Sequence, residues 1–192
     1  MSIRPLSDKL PKSNNPFTKM VGRLILFVTG WRIEGELPNI PKFVALGGPH
    51  TSNWDFIYAI SFIFSVGLKS YWMGKHTLFK WPYGWFMRAL GGIPIERNAP
   101  HGVVAQMVDQ FNQREQLVVL IPPEGTRKKV KKWKTGFYFI AKEAGVPILP
   151  TYLDYERKVV GVAELIIPGD DVEADIAKIQ DFYRKIPGKY PQ

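Results

Sequence analysis

One segment passes directly from a strand pattern into a helix pattern, and this transition constrains the fold more than any other feature. Phe43 to Leu46 is an apolar run of strand length, and Gly47-Gly48-Pro49 ends it. His50 comes next, and Ser52 lies three residues before Asp55, a spacing typical of a capping box at the start of a helix. The pattern predicts a strand, a short loop and a helix that place an imidazole beside a carboxylate at the edge of a sheet.

Strand and helix patterns alternate along the rest of the chain. Leu117 to Ile121 is a continuous apolar run typical of a buried strand, and Thr135 to Ala144 is a helix closed by Gly145. Further strands are predicted at 31–37, 42–48, 71–73, 93–97, 147–153 and 158–163, and further helices at 54–66, 102–114 and from 170 onward. The helix at 54–66 is apolar nearly all round, so we expect it to be buried between layers. The alternation predicts a single-domain α/β fold with a mixed, largely parallel central sheet flanked by helices.

The N-terminal part of the chain has an amphipathic helix pattern. Residues 17–28 place apolar side chains on one side and Lys19 and Arg23 on the other. Such a helix is about 18 Å long at 1.5 Å per residue, which is too short to cross a bilayer. We therefore expect residues 1–30 to associate with a membrane surface and residues 31–192 to form the folded domain. The alternative is a helix that packs on the core.

The composition limits the chemistry that the chain can carry out. A formal charge of +9 on 192 residues indicates an anionic partner, which is membrane phospholipid, nucleic acid or a phosphorylated substrate. Six of these positive charges lie within eight residues, at 127–134. The absence of cysteine excludes a cysteine nucleophile, and we find no G-x-S-x-G elbow, no metal-ligand cluster and no nucleic-acid recognition motif. We expect a protein that binds neither metal nor nucleic acid.

Two further segments place arginines among glycines. G-G-I-P-I-E-R ends in Arg97, and P-E-G-T-R ends in Arg127. Guanidinium groups bind phosphate through two parallel hydrogen bonds, and the backbone of Gly125 and the hydroxyl of Thr126 can add donors. These residues suit a phosphate clamp. Surface salt bridges with the neighbouring glutamates are the alternative.

The segments H-T-S-N-W-D, G-G-I-P-I-E-R and P-E-G-T-R, with V-P-I-L-P at 146–150, closely resemble the four signature motifs of the glycerolipid acyltransferase family. The resemblance spans residues 43–153. It implies an O-acyltransferase of phospholipid biosynthesis that moves a fatty acyl group from acyl-CoA or acyl carrier protein to the free hydroxyl of 1-acylglycerol 3-phosphate. It also implies that His50 is the catalytic general base and that Asp55 holds the far ring nitrogen of that histidine.

The same resemblance implies acceptor binding by residues of the second and third motifs, with Gly92 serving a turn. These residues are Gly92, Arg97, Glu124, Gly125, Thr126 and Arg127. We expect no cofactor besides the acyl donor, a lysolipid acceptor, and a peripheral position on the cytoplasmic face of a membrane. Two alternatives stay open, namely an acyltransferase for another lysolipid or alcohol, and a noncatalytic module that binds anionic lipid.

Overall fold

The computed structural model describes residues 6–96, 98–124 and 133–190. Its strands are β1 (Arg32–Glu34), β2 (Lys42–Gly48), β3 (Tyr71–Lys75), β4 (Gly92–Ile95), β5 (Leu117–Ile121), β6 (Ile148–Asp154) and β7 (Val159–Val162). Within the described ranges these strands form one sheet in the order β1-β7-β6-β2-β5-β3-β4. Neighbouring strands are parallel except for the antiparallel pair β6 and β7. The predicted α/β fold with a mixed, largely parallel sheet is confirmed.

Helices cover both faces of this sheet. They are α1 (Pro16–Thr29), α2 (Trp54–Val66), α3 (Gly84–Ala89), α4 (Gly102–Gln113), α5 (Gly136–Glu143) and α6 (Val172–Arg184). Side chains of α4, α5 and α6 pack with Val44 and Leu46 of β2 in one core cluster. Side chains of α1 and α2 pack with Phe43 and Ala45 in another. Because successive residues of a strand point to opposite faces, the uninterrupted apolar run of β2 fills both clusters.

The prediction that α2 is buried between layers is wrong. Phe56 on this helix is 65% exposed, and Trp54 is also exposed. The fully buried side chains of α2 include two serines, Ser61 and Ser65, whose hydroxyls donate to carbonyl oxygens of the preceding turn. A helix in an outer layer buries only the side that faces its neighbours, and here small hydroxyl side chains occupy part of that side.

Helix α1 packs on α2 at a very short distance. A Cβ atom on Gly22 would lie 2.5 Å from the carbonyl oxygen of Ser61 and 2.7 Å from the backbone nitrogen of Ser65, so this contact requires glycine. The opposite side of α1 carries exposed apolar side chains, which we call the apolar stripe: Phe17, Met20, Leu24, Phe27 and Val28. One side of α1 therefore packs on the domain, and the other faces solvent. In the part of the chain that the structure describes, no helix is both long enough and apolar enough to span a membrane.

The aromatic segment between β3 and β4 forms a 3-10 turn at His76–Phe79 followed by α3. Phe79 is buried, where its ring lies against Trp72. The later aromatic side chains point outward, and Trp81 is 92% exposed. Core packing thus accounts for Phe79 but not for the exposed group, which consists of Trp81, Tyr83, Trp85 and Phe86.

Candidate active site

The carboxyl end of β2 lies at the centre of the sheet and leads into the loop that carries His50. Strand β2 is flanked by β5 on one side and β6 on the other, and all three strands are parallel. The loops that follow parallel strands meet at the same edge of the sheet. Glu124 follows β5 and Tyr155 follows β6, so both can reach the loop between β2 and α2.

His50 in this loop lies in direct contact with Asp55 in the first turn of α2. Nδ1 of His50 is 3.1 Å from Oδ2 of Asp55, and the Asp55 carboxylate is only 4% exposed. The same oxygen accepts the backbone N–H groups of Thr51 at 2.7 Å and Ser52 at 2.8 Å. An ionised carboxylate has no proton to donate, so Nδ1 of His50 is the donor and the lone pair of the neutral ring lies on Nε2. The structure brings the two residues together in the pairing that the sequence predicts.

The surroundings of Asp55 favour its ionised form. Burial raises the pKa of this carboxyl group, but hydrogen bonds from the side chains of His50 and Tyr155 and from the amides of Ser52 and Thr51 lower it. The net effect is a pKa below the ordinary value of aspartic acid. Asp55 is therefore a carboxylate at neutral pH, which suits a group that orients an imidazole and stabilises its protonated form.

Ser52 forms the predicted capping interaction in altered form. Its backbone N–H donates to the Asp55 carboxylate, as one half of a capping box requires. Its hydroxyl oxygen accepts the N–H of Trp54 at 3.2 Å rather than that of Asp55. Trp54 is the first residue of α2, so Ser52 still supplies an acceptor for an N–H group that has no partner inside the helix.

Glu124 supports the histidine from the β5 side. Its Oε2 accepts the backbone N–H of His50 at 2.8 Å, and the residue is 5% exposed. Burial raises the pKa of Glu124, and the hydrogen bond from His50 offsets only part of that rise. The side chain to which the family resemblance assigns acceptor binding thus contacts the backbone of His50.

Comparison with known proteins identifies the family. The family model described as Acyltransferase matches residues 37–154 of the 192 in the chain. The chain belongs to the acyltransferase family. A 1-acyl-sn-glycerol-3-phosphate acyltransferase of Escherichia coli (strain K12) is 30% identical over 155 residues, which are 75% of this chain and 61% of the relative. The chloroplastic 1-acyl-sn-glycerol-3-phosphate acyltransferase BAT2 of Brassica napus is 30% identical over 139 residues, 67% of this chain and 39% of the relative.

A solved structure shows the same fold. The chain superposes on the 1-acyl-sn-glycerophosphate acyltransferase PlsC of Thermotoga maritima with a TM-score of 0.62 and 18% sequence identity. The match covers 88% of this chain and 76% of that one. By contrast, the chain spans less than two thirds of the length of the Escherichia coli relative. The regions of α1 and α6 lie outside the residues that the family model matches.

Gly92 lies away from His50 and Asp55, the contacting pair that we call the dyad. It is the first residue of β4, an edge strand that β3 and β5 separate from β2. A Cβ atom on Gly92 would lie 2.6 Å from the ring of Phe79, and the preceding turn is made by Gly91, which has a φ of 81°. The structure thus gives Gly92 a packing role, and its part in substrate binding stays a prediction.

The other predicted acceptor-binding residues lie outside the described ranges. These residues are Arg97, Gly125, Thr126 and Arg127, and most of the basic run at 127–134 lies outside as well. The strands that precede them, β4 and β5, run parallel to β2. Their carboxyl ends therefore share the edge of the sheet that carries His50. The phosphate clamp stays a prediction.

Sequence reasoning missed two groups that contact the loop of the dyad. The hydroxyl of Tyr155 lies 2.6 Å from Oδ1 of Asp55. Near the C-terminus, the backbone N–H of Lys189 donates to Oγ1 of Thr51 at 3.0 Å, and the Lys189 ammonium lies 4.8 Å from the centre of the Trp54 ring. All three contacts join residues that are a hundred positions or more apart in the sequence. The only local signal was the V-P-I-L-P block, which leads into β6 and so toward Tyr155.

Proposed function

We propose that this acyltransferase moves a fatty acyl group from acyl-CoA or acyl carrier protein to the free hydroxyl of 1-acylglycerol 3-phosphate. The observation that carries the proposal is the contact between His50 and a buried, ionised Asp55 at the centre of the sheet. Membership of the acyltransferase family supports the reaction class. The names of the bacterial and plant relatives support the acceptor.

In this proposal His50 activates the acceptor. A neutral alcohol attacks a thioester slowly, so the base removes the hydroxyl proton through Nε2 as the oxygen bonds to the carbonyl carbon. Asp55 accepts a hydrogen bond from Nδ1 and stabilises the imidazolium that forms. The carbon–sulfur bond then breaks and expels the carrier thiolate, which leaves readily because an ordinary thiol has a pKa of about 8.5. The proton passes from His50 to the thiolate or to water.

The acyl group passes directly between the two substrates in this scheme. The chain contains no cysteine, and the serine nearest the base, Ser52, is buried with its hydroxyl against the N–H of Trp54. Arg97 and Arg127 would hold the acceptor phosphate, since each guanidinium can donate two parallel hydrogen bonds. Both substrates then have to be bound at once for transfer to occur.

A thiol-release assay tests this function. Free thiol is measured with purified protein, palmitoyl-CoA and a panel of acceptors: 1-acylglycerol 3-phosphate, 1-acylglycerol, 1-acylglycerophosphocholine and glycerol 3-phosphate. Because the chain has no cysteine, the protein itself adds no thiol signal. We expect the highest kcat/KM for 1-acylglycerol 3-phosphate, and a loss of about 10² to 10⁴ in rate for His50→Ala. His101→Ala, at an exposed histidine, is the matched control.

Two results would contradict the proposal. Thiol release at the wild-type rate by a folded His50→Ala protein would remove the base from the mechanism. A higher kcat/KM for a non-phosphorylated acceptor would keep the reaction class but replace the substrate. Repeating the measurement with acyl carrier protein as donor separates the two carriers.

The apolar stripe on α1 supports a peripheral membrane position. Its members lie at 17, 20, 24, 27 and 28, which places them on one side of the helix, and each is more than half exposed. A helix with one apolar side lies in the plane of a membrane interface, and the net charge of +9 attracts anionic headgroups. The proposed acceptor is itself a membrane lipid. The exposed Trp81 and Trp85 fit the same environment, since tryptophan accumulates at the interface between lipid and water.

Vesicle sedimentation tests this position. Vesicles of phosphatidylcholine with anionic phosphatidylglycerol are mixed with wild-type protein and with Phe27→Ser, which removes the most exposed ring of the stripe. We expect Phe27→Ser to bind more weakly and high salt to weaken binding further. Ile167→Ser is the matched control, because Ile167 is similarly exposed but lies outside α1. Equal binding by Phe27→Ser and wild type would place the contact elsewhere.

A further inference from the structure

Tyr155 contacts the half of the Asp55 carboxylate that His50 does not use. Its hydroxyl lies 2.6 Å from Oδ1, whereas Nδ1 of His50 and two backbone amides all donate to Oδ2. An ionised carboxylate only accepts hydrogen bonds, so the phenol is the donor. The two oxygens of Asp55 are thus assigned to different partners. Tyr155 lies one residue beyond the part of the chain that the family model matches.

The ring of Tyr155 is held by an aromatic cluster and by its own backbone. Trp31 packs against it edge to face with ring centres 5.0 Å apart, and Tyr58 does so at 5.9 Å. Trp31 and Tyr58 are stacked on each other at 4.1 Å. The backbone N–H of Tyr155 donates to the carbonyl oxygen of Pro187. A partly buried ring packed against two other rings has few rotamers available, so its hydroxyl is fixed relative to Asp55.

We propose that Tyr155 is a positioning residue for the general base: it holds the Asp55 carboxylate with Oδ2 toward His50 and limits how strongly that carboxylate attracts the imidazole proton. The inference rests on the proposed roles of His50 and Asp55. Tyr155 acts through Asp55 and does not contact the reacting atoms.

The hydrogen bond from Tyr155 to Oδ1 predicts how losing the phenol would change Asp55. A hydrogen-bond donor on Oδ1 withdraws charge from the carboxylate and favours its ionised form. Without the phenol, Asp55 carries more charge on Oδ2 and stabilises the imidazolium more strongly. Thiol release by Tyr155→Phe should then fall off at a higher pH than in wild type. Burial and the neighbouring Asp55 raise the pKa of Tyr155 well above its ordinary value, so the phenol stays protonated and remains a donor at neutral pH.

Other titratable groups also face the pair. They are His50 and Glu124 on the loops after β2 and β5, Tyr58 on α2, and Tyr190 near the C-terminus. Tyr155→Phe removes only the hydroxyl and leaves the ring and these neighbours in place. Tyr58→Phe is the matched control, since it removes a hydroxyl from the same aromatic cluster without removing a donor to Asp55.

The test measures the pH dependence of kcat and kcat/KM for thiol release by Tyr155→Phe, Tyr58→Phe and wild type. For Tyr155→Phe we expect kcat to fall about tenfold with little change in the KM for acyl-CoA, as a hydrogen bond to a charged group implies. We also expect the acid limb of the kcat/KM profile to move up by about 0.5 to 1 pH unit. Tyr58→Phe should keep the wild-type profile.

A second readout does not depend on activity. The carboxyl carbon of Asp55, followed by NMR in protein labelled with ¹³C-aspartate, should titrate about 1 pH unit higher in Tyr155→Phe than in wild type. An unchanged Asp55 titration in a folded Tyr155→Phe protein would overturn the inference and leave the tyrosine as a packing residue. If wild type released no thiol with any acceptor, the proposed function would fail, whereas the NMR titration would still decide whether Tyr155 controls Asp55.

Discussion

Replacing Glu124 separates a role in holding the histidine from a role in holding the substrate. Its carboxylate accepts the backbone N–H of His50 at 2.8 Å and is almost completely buried. Glu124→Gln keeps the size of the side chain and a carbonyl oxygen that can accept the same N–H. Glu124→Ala removes the acceptor. If Glu124 holds the backbone, the glutamine variant should retain most of the activity and the alanine variant should lose it.

The expected changes in the free energy of unfolding follow from the burial of Glu124 and from its hydrogen bond with the N–H of His50. Leaving a buried N–H without its acceptor costs about 1 to 3 kcal/mol, so Glu124→Ala should be destabilised by this amount. In Glu124→Gln a neutral acceptor replaces a charged one, a loss of about 1 kcal/mol, while the cost of burying a charge disappears. The glutamine variant should therefore lie within about 1 kcal/mol of wild type.

Because the pKa of Glu124 is raised, the difference in the free energy of unfolding between wild type and Glu124→Gln depends on pH. Burial raises this pKa in the folded protein above the ordinary value of 4.5. A carboxyl group whose pKa is raised in the folded protein holds its proton more tightly there than in the unfolded chain. The resulting stabilisation of the folded state is complete below the unfolded pKa and is lost as the pH rises through the folded pKa. Glutamine does not titrate. The free energy of unfolding of Glu124→Gln should therefore rise relative to wild type as the pH is raised through this range.

Urea denaturation at several pH values and thiol release on the same samples measure both effects. Glu115→Gln, at an exposed glutamate, is the matched control and should change stability by less than about 0.5 kcal/mol. The reasoning fails if Glu124→Ala is as stable as wild type. An inactive Glu124→Gln protein of wild-type stability would instead show that the carboxylate contacts substrate.

Further substitutions test the rest of the site. Asp55→Asn should lower kcat by about 10² to 10⁴, because an amide favours the wrong tautomer of His50, and near-normal thiol release by the folded variant would refute this. Ser52→Ala should lower the free energy of unfolding by ~0.5 to 2 kcal/mol in urea denaturation and keep substantial activity, whereas an acyl group found on Ser52 by mass spectrometry would indicate a two-step transfer. Arg97→Lys and Arg127→Lys should each raise the KM for 1-acylglycerol 3-phosphate more than that for 1-acylglycerol, since a point charge cannot replace a bidentate guanidinium. Equal losses for both acceptors would indicate a structural role for the arginines.

Local sequence patterns were sufficient to predict most of the secondary structure. Helix α2 begins at Trp54 and ends at Val66, as predicted, because the capping residues lie before it and Gly67 adopts the left-handed conformation that ends it. Strand β5 also has its predicted bounds, since a five-residue apolar run between Gln116 and Pro122 fits a buried strand. Helix α6 begins at Val172, with Asp171 as its N-cap, two residues after the predicted start at Asp170.

Which side chains of a helix are exposed to solvent was harder to predict than where the helix lies. The sequence of α2 is apolar around most of its circumference, yet Phe56 faces solvent and Ser61 is buried. The reason lies in another element: Gly22 brings α1 so close to α2 that only small side chains fit between the two helices. Composition cannot specify such a contact, because it depends on which two helices are neighbours.

Local sequence patterns could not predict the contacts around the dyad either, because these contacts also depend on which elements are neighbours. The same contacts hold His50 and Asp55 in place. The order β6-β2-β5 places a different strand on each side of His50 and Asp55. Glu124 holds the backbone of His50 from the β5 side, and Tyr155 holds Asp55 from the β6 side. The contact of Glu124 constrains the loop at His50, and the contact of Tyr155 constrains the first turn of α2 at Asp55. Losing one contact therefore leaves the other in place. Sequence spacing predicts the pairing of His50 with Asp55 because the two residues are five positions apart, whereas the contacts of Glu124 and Tyr155 depend on which strands are neighbours in the sheet.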